Sequence, residues 1–241
     1  MNNYAILYLG ELQRLKKYNI LSASLFVAAL WIGVIYFSEI QDLTTIFPLV
    51  VFIDATSMAI LLIGATMFFE REEGALKTLF ISPINRSEYI WAKISAGISS
   101  NLLTLFIIYG YARFFRELDL SFLGLVGAVI LISGFHSLVG FLLSFRSKTF
   151  THLLMSMFVY FLALALPVVL DLLGLIESEI IKNLLYLLPT KAAQLLLIGT
   201  AGMGETWEIF FSAGYLLVLG GILYVFVVKN FSDFAARESG A

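Results

Sequence analysis

The polar residues of this 241-residue chain are few, and their types and spacing bound the chemistry open to it. The densest group is the run FFEREEGALKTLFISPINRSEYIWAK, Phe68 to Lys93, with four acids (Glu70, Glu72, Glu73, Glu88) and four bases (Arg71, Lys77, Arg86, Lys93). Elsewhere a lone carboxylate, Asp54, stands in an apolar run beside Thr56 and Ser57, and Asn101 follows Ser99 and Ser100. His136 sits between Ser133 and Ser137, and the second histidine, His152, belongs to a basic loop. The chain has no cysteine, which removes disulfides, thiolate metal sites and thiol nucleophiles together. It lacks a GxxxxGK[ST] loop, and so an ATP site of the Walker kind, and it lacks an HExxH pair and a serine elbow, which leaves its catalytic inventory thin. Neither a cofactor nor a metal is expected on this chain.

Asp54, Asn101 and His136 are the candidates for a substrate pathway, since polar groups at membrane depth are costly and functional by default. Each has a structural reading too. Asp54 is near enough to one end of its run to reach the interface, Asn101 with its serines permits close helix packing, and His136 suits an interhelical hydrogen bond.

These residues need elements to hold them, and composition says which. The chain is 60% hydrophobic and 13% charged, with a mean hydropathy of +0.94, whereas a soluble domain carries about 25% charged residues. The expected fold is therefore an all-α integral membrane protein forming one domain over residues 1–241. Six apolar runs of about twenty residues, roughly 30 Å each as helix, are expected near 19–38, 48–69, 94–112, 120–145, 153–170 and 209–228. Pro48 fits a first helical turn, where its missing N–H costs nothing. Residues 4–17 carry Ile6, Leu7, Leu9, Leu12 and Leu15 mostly on one face and end in Arg14, Lys16 and Lys17, a pattern for an interfacial amphipathic helix. Residues 171–208 contain an apolar stretch broken by Pro189 and Lys191, read as a re-entrant or interfacial helical pair before the last span.

Placing the N-terminus in the cytoplasm puts Arg14, Lys16, Lys17, Arg71, Lys77, Arg86, Lys93, Arg146, Lys148, Lys229 and Arg237 there, against only Arg113, Arg116, Lys182 and Lys191 outside. Both termini and the charged run are then cytoplasmic, in the plasma (inner) membrane of a prokaryote. A charge at the bilayer centre costs about 3 kcal/mol, so the run is expected to be a loop in water over residues 70–93. Its spacing predicts a short amphipathic helix from Glu70 to Ile81, a stop at Ser82-Pro83, and a second helix opened by Asn85 and Glu88 as a capping box. Apolar stripes with charges of both signs favour a docking element for a partner over a plain hairpin.

At this point the run resembles the signature of ABC-2 type transporter permeases, and most of all that of fluoroquinolone-export-type permease subunits. The resemblance rests on Glu70, Glu73, Gly74, Leu76, Leu79, Ser82, Pro83, Tyr89 and Lys93, on Leu188-Pro189-Thr190 before the last span, and on the six-span layout. Ala75 departs from it, standing where the family often has Thr. The resemblance implies the membrane subunit of an ATP-driven exporter that lacks its own ATPase site. Such a subunit pairs with a second permease, identical or homologous, and recruits two separate ABC ATPase subunits that hold ATP and Mg. Glu70, Arg71, Glu73, Gly74, Leu76, Leu79, Pro83, Tyr89 and Lys93 would then couple the ATPases to the spans. The compound moved would be hydrophobic or amphipathic, by alternating access, with membrane lipid as surroundings and no nucleic acid involved. The alternative is an ion-gradient-driven carrier or channel using Asp54 and His136.

Overall fold

Long uncharged segments in hydrocarbon can satisfy their backbone N–H and C=O groups only within the segment, and each of them is helical. The computed structural model describes residues 3–75 and 84–239. Among these lie ten α-helices: α1 (Asn3–Lys17), α2 (Ile20–Phe37), α3 (Phe47–Glu72), α4 (Arg86–Phe115), α5 (Phe122–Arg146), α6 (Phe150–Tyr160), α7 (Leu166–Leu172), α8 (Glu179–Leu185), α9 (Pro189–Gly199) and α10 (Thr206–Ser239). A π-helical turn, Phe161–Ala165, joins α6 to α7. Six stretches are long and apolar enough to cross a membrane: α2, α3, α4, α5, the α6–π–α7 unit and most of α10.

The spans end farther out than apolar composition alone indicates. Pro48 does occupy the first turn of α3. Asn85 caps α4 by accepting the Ser87 N–H at 3.0 Å, which starts the third span at Arg86. The reciprocal bond from Glu88 that a full capping box requires is absent among the described residues. At its other end α4 runs on to Phe115, past the apolar run expected to end near 112, so Arg113 is helical. The polar residues after the sixth apolar run, expected to end near 228, are also helix, since α10 continues to Ser239. Ser121 and Thr149 cap α5 and α6 with their hydroxyls.

The helix α3 is the axis of the bundle. It packs on α5 most extensively and on α4, α6 and α9 as well, and its side chains are buried along nearly the whole length. Contact with α5 is backbone-close at Gly140, where a Cβ would stand 2.9 Å from the Ile60 carbonyl oxygen. Small residues at such crossings replace the hydrophobic driving force that lipid does not provide. By contrast α2, α6–π–α7 and α10 keep most of their apolar side chains on the outside, as lipid-facing helices do.

The fifth span is not a plain helix. Pro167 has no N–H and its ring crowds the carbonyl four residues earlier, and just before it the chain widens into the π turn. The Thr190 hydroxyl of α9 donates to the Leu164 carbonyl there. Residues 171–208 do form a helical pair. In it α8 is largely exposed, whereas Thr190 to Leu197 of α9 are buried against α3, α5 and α10. Lys191, which looked like an interruption, donates to Asp171 at 2.7 Å and so neutralises its charge.

Candidate functional site

The charged run begins inside α3. Glu70 to Glu72 are the last turn of that helix, so the separate helix expected from Glu70 does not start there, and the part of it expected from Leu76 to Ile81 lies outside the described residues. The helix stops because Gly74 takes φ +69°, a left-handed conformation that costs other L-residues about 1–2 kcal/mol. Leu76, Leu79 and Pro83, together with the Ser82-Pro83 turn, lie outside the described residues. Tyr89 and Lys93 fall in the first two turns of α4.

The two ends of the run are therefore helix, and they meet. Glu70 is 1% exposed and Lys93 is 2% exposed, which corrects the expectation that this charge density stays in water. The reason is pairing. Lys93 Nζ donates to Glu70 Oε1 at 2.6 Å and to Glu11 Oε2 at 2.8 Å. Arg14 donates to Glu70 Oε1 at 2.9 Å and also to Glu11, and the Tyr89 hydroxyl donates to Glu70 Oε2. Two carboxylates thus face two cations and a phenol, and the cluster as a whole is neutral. Burial pushes the Glu11 carboxyl above its ordinary range, with Glu70 adding to that and Lys93 and Arg14 opposing it.

The next residues of the turn reach other helices. Arg71 Nη1 donates to the Ser147 carbonyl at 2.8 Å and Nη2 to the Ser144 carbonyl at 3.2 Å, capping the open C-terminus of α5. Its guanidinium also lies over the Phe234 ring of α10, 5.2 Å from the centroid. Glu73 is exposed and accepts from Lys17 at 2.7 and 2.8 Å and from the Tyr18 hydroxyl at 2.9 Å. These bonds hold the Glu73 carboxyl below its ordinary range, while burial and the same bond raise the Tyr18 phenol. One turn of α3 is thereby fastened to α1, α4, α5 and α10. Sequence reading missed Glu11, Arg14, Lys17 and Tyr18 as members of this site. The available signal was the surplus of charge at the end of α1, opposite a run with matching acids.

The pathway candidates divide. Asp54 Oδ2 accepts from the Thr104 hydroxyl at 3.0 Å, a hydroxyl whose single proton is shared with the Asn101 carbonyl at 2.9 Å. The Asn101 amide donates to Ser133 at 2.8 Å. Asp54 and Asn101 therefore share one buried polar seam between α3, α4 and α5. His136 is separate from it. Its Nδ1–H donates to the Ile132 carbonyl at 2.8 Å in its own helix, and its ring meets the Tyr160 ring in a T-shaped contact with centroids 6.0 Å apart. Among the described residues, none of these three lines the cavities of about 450, 310 and 440 Å³ at the bundle surface. Among the described residues no cluster of His, Asp and Glu has metal-binding geometry.

Two curated proteins from Mycobacterium tuberculosis, each described as a fluoroquinolones export permease protein and coming from strains CDC 1551 / Oshkosh and ATCC 25618 / H37Rv, are 24% identical to this chain over 233 residues, covering 95% of each partner in the comparison. The sequence model of the fluoroquinolones export permease protein family matches residues 5–239, from the first turns of α1 to the end of α10. The chain belongs to that family of membrane permeases, of the ABC-2 type.

Proposed function

We propose that this permease is the membrane half of an ATP-driven exporter, coupled through residues 70–93 to separate ATPase subunits. Two ATPases, holding ATP and Mg, would dock on the cytoplasmic face of a pair of permeases, identical or homologous. The compound moved is hydrophobic or amphipathic and leaves the cytoplasm by alternating access. The charge bias described above puts the loop, α1 and both termini on the cytoplasmic side.

One observation carries the reading: both flanks of the loop are anchored in rigid helices, Glu70, Arg71 and Glu73 on α3 and Tyr89 and Lys93 on α4. A force applied to the loop is passed to five helices at once, because the anchors tie in α1, α5 and α10. Glu70, Tyr89 and Lys93 are buried, so they act as positioning residues beneath the docking surface and not on it. Glu73 and Gly74 remain at its edge, where exposed charge suits a wet, salt-bridged contact.

The experiment is reconstitution with the partner ATPase in liposomes. A Glu73→Lys variant is expected to insert and bind the ATPase while ATP hydrolysis loses its dependence on exported compound. Normal export by that variant would overturn the coupling assignment. Transport by the permease alone, driven by a pH gradient, would favour the carrier reading through Asp54 and His136.

A further inference from the structure

We infer that the permease holds an anionic phospholipid in a built site between α5 and α10, at the end of the bundle that also carries α1. A cavity of about 450 Å³ opens there. Its rim is cationic, formed by Arg71, Arg146 and Lys148, and no carboxylate lines it. Its floor is apolar, formed by Leu142, Phe226 and Phe234. Phe226 is 48% exposed and points away from the packed core of the bundle. The cavity therefore takes a molecule with a negative head and an apolar body, oriented along the helices.

Three features make the rim suitable for a phosphate. Arg146 is the last residue of α5 and Lys148 follows two residues later, so both stand where the span leaves hydrocarbon. Both are exposed, and neither has an ion-pair partner among the described residues. The C-terminus of a helix normally repels anions, but Arg71 covers the Ser144 and Ser147 carbonyls and offsets that end of the dipole. Basic pockets between spans on the cytoplasmic side are where acidic headgroups bind. The site's side of the membrane rests on the topology proposed above, but lipid binding is measured without transport or ATPase, so the two ideas fail separately.

The test uses the full-length protein in a neutral detergent, with thermal unfolding and native mass spectrometry as readouts. Phosphatidylglycerol is expected to raise the unfolding temperature and to remain bound, while phosphatidylcholine and inorganic phosphate at equal concentration do neither. The double variant Arg146→Gln/Lys148→Gln is expected to bind phosphatidylglycerol about thirtyfold more weakly, with an unchanged unfolding temperature in phosphatidylcholine. Each single substitution is expected at about fivefold and keeps the test open if the double variant misfolds. Equal protection by both lipids, or of both proteins, overturns the inference. Protection by inorganic phosphate alone makes it a small-anion site and also overturns it.

Discussion

Replacing Lys93 with Met keeps the length of the side chain and removes one charge from a neutral cluster. Glu11 and Glu70 are then left buried with Arg14 as their single cation, since Lys93 and Arg14 each bridge the two carboxylates and Lys93 does so at 2.8 and 2.6 Å. Removing one member of a buried ion pair costs about 3–5 kcal/mol. In a chain of this size that lowers the unfolding temperature by about 10 °C. The second half of the prediction is sharper. Adding Glu11→Gln restores neutrality, so the double variant should be more stable than Lys93→Met alone, although Glu11→Gln by itself is destabilising. The effect also depends on pH. The Glu11 carboxyl already sits above its ordinary value of 4.5 in the fold. A raised carboxylate contributes stability below its unfolded pKa and loses it as pH rises through the folded one, so the Lys93→Met deficit should shrink on acidification. The assay is thermal unfolding of purified protein in detergent, followed by tryptophan fluorescence from pH 5 to 8. Additive losses in the double variant, with no pH dependence, would refute the idea that these groups form one neutral cluster.

Gly74→Ala should lower stability by about 1–2 kcal/mol from backbone strain alone, because a Cβ there meets no atom of the described residues within 4 Å; Gly74→Asn, which tolerates the left-handed region, should lose measurably less in the same unfolding assay. Glu73 has a depressed carboxyl, so its bonds to Lys17 and Tyr18 contribute above its ordinary value of 4.5 and are lost as pH falls through the folded one; Glu73→Gln should slightly lower stability in the neutral region and flatten the acid limb, so that the two proteins converge at low pH. Gly140→Ala drives a methyl against the Ile60 carbonyl and should cost about 1–3 kcal/mol, while Gly127→Ala on the same helix, with open space around it, should be neutral.

The spans were readable because hydrocarbon excludes charge, and runs without charge are visible one residue at a time. Pro48 and Asn85 were readable as helix starts for the same reason, since capping is local. What could not be read was pairing. Counting charges in the run from Glu70 to Lys93 indicates water, yet Glu70 and Lys93 are buried because Glu11 and Arg14 arrive from a helix more than fifty residues away in sequence. Asp54 likewise looks alone until α4 brings Thr104 against it. The π turn ahead of Pro167 had a local signal in that proline, and apolar composition hid it. The helical end of α10 carries polar residues that composition reads as a tail, although Phe231 and Phe234 pack back onto α4 and α5.

The cluster beneath the loop also orders the assembly of the chain in time. Glu11 and Arg14 are made first, but Glu70 follows Arg14 by 56 residues and Lys93 follows Glu11 by 82. Until the third span has been synthesised, Glu11 has only Arg14, three residues along its own helix, as a partner. The first helix can pair Arg14 and Lys17 with Glu70 and Glu73 once the second span is in place, and the cluster becomes neutral only when Lys93 arrives with the third. A fusion or tag that delays or hinders that docking would act on biogenesis before it acted on transport.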